Sequence, residues 1–293
     1  MIHSFLRAVG FRGLKRTSDL YDILEDVINY PDAQHAEQDP NGNTFVECKK
    51  MFGDDFGIAV CGDYTDNNEF HMEYYYPFLI GNGMSTDELI EIERHSEKES
   101  YAGICDDMRL GVTLIFYVQN STEVLREQRL HARYRNGNGA TLAGLASYGK
   151  VLLPIQKTEA QVKQREKSAE NRIRLIAEAR EGNQQAMEHL TLQDMDVYSS
   201  IARRIVKEDI LSIVETSFMP FGIQSDQYSI IGEIIDCSKQ KNHFTEENVW
   251  ILTVNCNDLL FDVCINEKDL LGEPEIGRRF KGRIWMQGNV NYN

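Results

Sequence analysis

The chain is poor in proline, with 6 in 293 residues, and has no low-complexity stretch. A disordered chain shows the opposite bias, so an ordered fold is expected. Long apolar runs are also missing. The longest, Val112 to Val118, includes Thr113 and falls far short of the roughly 20 residues that cross a bilayer. Arg7 interrupts the first apolar stretch, so no signal-peptide core forms. A cytoplasmic protein with no membrane partner is expected. No C-x-x-C occurs among Cys48, Cys61, Cys105, Cys237, Cys256 and Cys264, which lie far apart in mostly apolar, strand-like surroundings. They read as reduced thiols rather than as a metal or redox site. There is no Walker loop, no G-x-G-x-x-G and no H-E-x-x-H. Gly144 to Gly149 is one residue too long for a nucleophile elbow. No catalytic residue and no cofactor are therefore assigned.

Positive charge is scarce too. The net charge is −15, with 31 Lys and Arg against 46 Asp and Glu. Residues 1–120 hold 9 basic and 22 acidic side chains, whereas residues 121–208 hold 15 and 11. The acidic whole argues against nucleic acid and anionic membranes. The basic middle suits internal pairing with the acidic first third.

What is present points to an α+β fold. Leu20, Ile23, Leu24, Val27 and Ile28 recur at helical spacing after Thr17 and Ser18, which offer an N-cap, and Pro31 stops the helix. Asp32 to Gly42 is polar and reads as a loop. Thr44 to Phe52 and Phe56 to Asp63 read as a hairpin across Gly53-Asp54-Asp55. Glu69 to Ile80 alternates, with Phe70, Met72, Tyr74, Tyr76 and Phe78 on one face. Ser85 and Glu88 form a capping-box pattern that predicts a helix through Ile92. Tyr101 to Asp106 and Arg109 to Gln119 read as a second hairpin, and Asn120 as the cap of an Arg-rich helix. Residues 156–208 read as helical hairpins. Gly182 is a C-cap there, and Thr191 with Asp194 starts a further helix. From Asp209 five strands follow: Ile210 to Met219, Tyr228 to Cys237, Val249 to Cys256, Leu259 to Ile265 and Phe280 to Gln287. They suggest a small barrel or a curled antiparallel sheet. The expected organisation is an α+β domain at 1–155, a helical connecting segment at 156–208 and a mostly-β domain at 209–293.

Three groups of residues carry possible chemistry. Glu69, His71 and Glu73 share one face of a strand, about 7 Å apart, and could flank a metal of an assisted hydrolase. A solvated strand face explains them as well, and a metal needs a further ligand from another element. Arg126, Arg129 and Arg133 share one helical face, with His131, Tyr134 and Arg135 close by. Their guanidinium forks suit a phosphate or carboxylate ligand, or else salt bridges to the acidic first third. Arg278, Arg279, Lys281 and Trp285 form the densest basic and aromatic segment. On a barrel this can hold single-stranded nucleic acid. As a strand it places Arg279, Lys281, Arg283 and Trp285 on an outward face opposite Phe280, Gly282 and Ile284.

The chain also resembles a known family. Ser4-Phe-Leu-Arg-Ala-Val-Gly-Phe11, Leu190-Thr-Leu-Gln-Asp-Met-Asp-Val-Tyr198, Phe218-Met-Pro-Phe-Gly222 and Asp226-Gln-Tyr228 match it. So do Asn255-Cys-Asn-Asp258, Asp269-Leu-Leu-Gly-Glu-Pro274, Gly277-Arg-Arg-Phe-Lys-Gly282 and Trp285-Met-Gln-Gly288. The family is a group of proteins from clostridial Gram-positive bacteria that carries only a domain-of-unknown-function label. The resemblance covers the whole chain and implies a bacterial cytosolic protein, with no activity, cofactor or catalytic residue to carry over. With no convergent acid, base and nucleophile in view, the expected role is non-enzymatic binding of a protein or small-molecule partner.

Overall fold

The structure is a computed structural model. It describes residues 2–39, 42–65, 69–95, 98–130, 136–155 and 210–292. Within 171–195 it describes 171, 174, 175, 177–179, 182–192 and 195. The expected stripe from Tyr198 to Val206, together with Asp194, Arg133, His131, Tyr134 and Arg135, lies outside these residues.

The chain opens with a 3-10 turn, Ser4–Val9, which ends at Gly10 with φ of 88°. Helix α1, Thr17–Asn29, follows as expected and buries Leu20, Ile23, Leu24 and Val27. Its cap differs: Arg16 holds the N-cap position and makes no side-chain capping bond. An antiparallel sheet comes next, in the order β1 (Ala33–Gln38), β2 (Thr44–Met51), β3 (Phe56–Tyr64) and β4 (Phe70–Leu79). β2 and β3 are the expected hairpin. β1 corrects the reading of Asp32 to Gly42 as a loop. It is an edge strand whose residues are mostly exposed, so its polar sequence carries no alternating signal. β3 is buried nearly throughout, from Phe56 to Gly62, and α1 packs on β2 and β3.

The capping-box helix at Ser85 does not form. Thr86 and Ile90 instead make single bridges to Ala140 and Gly137, and a short strand, β5 (Glu91–Arg94), follows. The polar side chains that suggested a cap are used elsewhere. The Ser85 hydroxyl accepts the N–H of Leu142 at 3.0 Å, and the Thr86 hydroxyl donates to buried Asp107 at 2.8 Å. The second hairpin forms as expected, from β6 (Tyr101–Cys105) and β7 (Leu114–Val118). Helix α2, Ser121–Leu130, begins after Asn120. The Asn120 carbonyl accepts the N–H groups of Glu123 and Val124, while its side chain bonds the backbone of Val290.

A barrel follows, and its fifth stave comes from an unexpected place. Ile210 to Met219 is not a barrel strand. It forms one helical turn, Ile210–Ile213, and the short β9 (Ser217–Pro220), which only edges β10. The closed ring is β8 (Ala140–Leu152), β12 (Leu259–Asn266), β11 (Asn248–Cys256), β10 (Gln227–Lys241) and β14 (Arg279–Val290), which returns to β8. The β12–β8 pair is parallel and the rest are antiparallel. A short β13 (Leu270–Leu271) also pairs with β8. Strands on either side of the boundaries expected at 155 and 209 therefore share one sheet. Glycines let the staves approach inside the ring. A Cβ at Gly149 or at Gly282 would lie 2.4 Å from the ring of fully buried Phe280. The Asn257-Asp258 turn between β11 and β12 is as expected, with both residues at positive φ.

In the intervening segment, residues 184–192 are helical, so Thr191 lies inside a helix rather than starting one. Gly182 ends the helix before it in the left-handed conformation, as expected of a C-cap. The Asn183 side chain then caps 184–192 through the N–H groups of Gln185 and Ala186.

β14 sets the location of the site. Along its first half it pairs with β10, and the last such pair is Gln227 with Trp285. Its far end pairs with β7, beginning at Gln287 with Tyr117. At Trp285 the barrel thus parts from a side sheet of β7, β6 and β5, and a gap opens between β10 and β7.

Candidate ligand-binding cleft

A cavity of about 610 Å³ lies at this parting, a size typical of small-molecule sites. Four distant parts of the chain line it: the N-terminal residues 2–5, His95 after β5, the 223–227 loop and Trp285. Backbone hydrogen bonding explains why they meet. Where β10 leaves β14, the Met286 N–H has no strand partner, and it donates to the Asp226 carbonyl at 2.9 Å. That bond holds the 223–227 loop over the strand. The 3-10 turn packs against β8, β12 and β4, which places residues 3–5 on the opposite wall.

The polar groups in the cleft are fixed by their neighbours. The indole Nε1–H of Trp285 donates to Asp226 Oδ2 at 2.7 Å. Burial raises the Asp226 carboxyl above its ordinary range, and the Trp285 bond opposes that rise. The His3 ring lies 4.8 Å from Trp285, centroid to centroid, and the Phe5 ring lies 5.7 Å from it. The His3 backbone N–H donates to the Tyr75 hydroxyl at 2.8 Å, and Nδ1 accepts the Phe5 N–H at 3.4 Å. With Nδ1 an acceptor, the neutral ring carries its proton on Nε2. Burial lowers the His3 pKa to about 4, so the ring is neutral at physiological pH. Behind Trp285 a row of rings continues through Tyr117 to Tyr76. The Tyr76 hydroxyl donates to buried Glu47 at 2.6 Å, and Lys49 pairs with that carboxylate at 2.9 Å.

Of the residues singled out from sequence, only Trp285 lies in this cleft. It does not face outward with Arg279 and Lys281, because a register shift between Arg283 and Ile284 breaks the alternation. Trp285 is 6% exposed. Arg279 is buried as well. Its guanidinium donates to the carbonyls of Leu153, Val214 and Leu211, at 2.6 to 3.0 Å. It therefore clasps the end of β8 to the 210–216 segment. Arg278 donates to the Glu273 carbonyl and pairs with Glu275 at 2.8 Å. Lys281 is half-buried, and Arg283 stacks on Phe221 at 4.2 Å. These residues do not form one basic face.

Arg126 pairs with Glu123 at 3.6 Å, and Arg129 with Glu37 at 2.7 Å. Arg126 also lines a polar hollow of about 390 Å³ beside β1, with Glu37, Glu47 and Lys49. Glu69, His71 and Glu73 lie on an exposed strand face, and His71 pairs with Asp63 at 3.1 Å. Among the described residues no group of three or more His, Cys, Asp or Glu side chains is placed to hold a metal. Five cysteines are buried, Cys237 is half-buried, and all six are free thiols.

Sequence reasoning missed His3, His95 and the 223–227 loop as site residues. The one available signal was Asp226, which stood in a matched family segment. A half-buried polar cleft on an α+β fold with a five-stranded closed barrel defines the class. The family model described as "Domain of unknown function, E. rectale Gene description (DUF3881)" matches residues 6–288, and the chain belongs to that family. No curated protein and no solved structure matches the chain. No helix of the described residues is long and apolar enough to cross a membrane.

Proposed function

We propose that the protein is a cytosolic, non-enzymatic binding protein, and that it holds a small molecule in the cleft between residues 2–5 and 223–227. One observation carries this reading. The cleft is of ligand size, and its polar groups are held in place before any ligand arrives. Asp226 is fixed by an indole N–H and by its own backbone bond to β14, and His3 by Tyr75 and Phe5. Such preorganisation lowers the ordering cost of binding. The paired charges around Arg126, Arg129 and Arg278 favour internal bridging over an anionic ligand. A thermal-shift screen of a small-molecule library tests the proposal. Compounds that raise the melting temperature of the native chain are expected to fail on the folded double variant His3→Gln, Asp226→Asn. Hits that stabilise that variant equally contradict the reading.

A second reading has one observation in its favour. His3 and Asp226 are shifted in opposite directions within one cleft, a pattern that also serves proton transfer. Asp226 would then act as base and the His3 Nε2–H as donor. Deuterium uptake from solvent into a bound ligand, seen by NMR and lost in Asp226→Asn, would support it over simple binding. No uptake leaves binding alone.

A further inference from the structure

We infer that the cleft selects a small organic cation, a compound with an ammonium group beside an apolar body, whose charge is met by Asp226. This rests on the cleft being a ligand site and adds the chemical class of the ligand. The charge inventory carries the argument. The lining holds one side chain that is formally charged at neutral pH, Asp226, and no Lys or Arg among the described residues. His95 stands at the exposed rim, and among the described residues it is the basic group near enough to favour the ionised form of Asp226. His3, half-buried on the other wall, is neutral.

Asp226 is also incompletely used. Trp285 donates to Oδ2 and the residue's own backbone N–H also bonds the carboxylate, but no second side chain among the described residues donates to it. None of the ion pairs of the described residues involves it. The contrast with the buried carboxylates is direct. Asp269 takes both Arg7 and Arg12, Asp107 takes Arg109, and Glu47 takes Lys49. Among the described residues Asp226 has no such partner. A partly desolvated carboxylate without a counter-ion attracts a cation strongly and repels an anion. The lining is mixed: Ser4, Gln224, Ser225 and Gln227 are polar, and Ile2 and Phe5 supply an apolar side for a hydrocarbon body. The faces of Trp285 are taken by His3, Phe5 and Tyr117, so the carboxylate is the recognition element and the indole is its support.

The test uses the full chain carrying Trp250→Phe, which leaves Trp285 as the sole indole. Its fluorescence is followed on titration with benzylamine, phenylacetate and benzyl alcohol at pH 7.5. These probes share a ring and differ in charge. A saturable change with benzylamine, and none at equal concentration with phenylacetate, is expected. Asp226→Asn keeps an acceptor for the indole and should weaken benzylamine binding about tenfold to a hundredfold, the usual cost of losing one charge-assisted hydrogen bond. Lowering the pH should weaken it too, as Asp226, whose carboxyl burial raises, gains its proton. If benzyl alcohol or phenylacetate binds as tightly as benzylamine, the cation class is wrong while the cleft stands as a site. If Asp226→Asn keeps the benzylamine affinity, recognition by the carboxylate is refuted. If none of the three probes changes the Trp285 signal, the ligand site itself is refuted along with the class.

Discussion

Replacing His3 with glutamine is expected to flatten the acid limb of the protein's stability profile. Burial lowers the His3 pKa from 6.5 to about 4. In the unfolded chain the imidazole takes a proton near its ordinary value, so between these two pH values the unfolded state binds the proton and the folded state does not. The stability associated with neutral His3 is fully present above about pH 6.5 and is lost as the pH falls toward 4. Each pH unit is worth about 1.4 kcal/mol, so the loss reaches about 2 kcal/mol at pH 5 and about 3 kcal/mol at pH 4. That is a large share of the stability of an ordinary domain. Urea unfolding of the native chain and of His3→Gln at pH 7.5, 5.5 and 4.5 measures it. The variant loses packing on Trp285 at every pH, and that offset cancels in the comparison. The native chain should lose about 2.5 kcal/mol more than the variant between pH 7.5 and 4.5. Parallel profiles would refute the half-buried, neutral imidazole and with it this wall of the cleft.

Asp226→Asn should act in the opposite sense. The carboxyl is raised by burial, so its contribution to stability is present below the ordinary carboxylate range and is lost as pH rises through the raised value. The variant should therefore melt higher than the native chain at pH 7 and gain nothing at pH 3, which calorimetry can check. A variant that gains stability while losing ligand is the mark of a site residue. Gly149→Ala pushes a methyl into Phe280 and should cost about 1–3 kcal/mol in urea unfolding; no cost would mean the barrel yields there. Arg279→Met leaves the carbonyls of Leu153, Val214 and Leu211 without their donor and should cost about 2 kcal/mol or more by the same assay. Arg129→Ala removes an exposed partner of Glu37, and its expected cost is below about 1 kcal/mol.

Much of the fold was legible because it rests on local pattern. α1 shows a clean helical stripe, and β2 with β3 shows two β-rich runs across a short loop. The strands of the second half of the barrel were visible for the same reason. The fifth stave was not. β8 is rich in Ala and Gly because β14 approaches it closely along its whole length, and such a strand has no alternating pattern. Ile210 to Met219 looked more strand-like by composition and was outranked by tertiary pairing. At Ser85 a local cap competed with the edge of β8 and lost. Trp285 was misplaced because a bulge cannot be seen in a period of two, and Arg279 because its burial comes from the distant 210–216 segment it clasps. The cleft itself was hidden by distance along the chain. Residues 3, 95, 226 and 285 share no spacing, and only the parting of β14 from β10 brings them together.

The most direct measurement of the cleft as a ligand site uses both tryptophans, Trp250 and Trp285, as reporters. Protein labelled with 5-fluorotryptophan gives one fluorine resonance for each, assigned with Trp250→Phe. The small-molecule fraction of a bacterial extract is then added and the spectrum recorded. A binding cleft at the end of β10 predicts that the Trp285 resonance moves while that of Trp250 stays. A spectrum in which neither moves, or in which Trp250 alone responds, would contradict it.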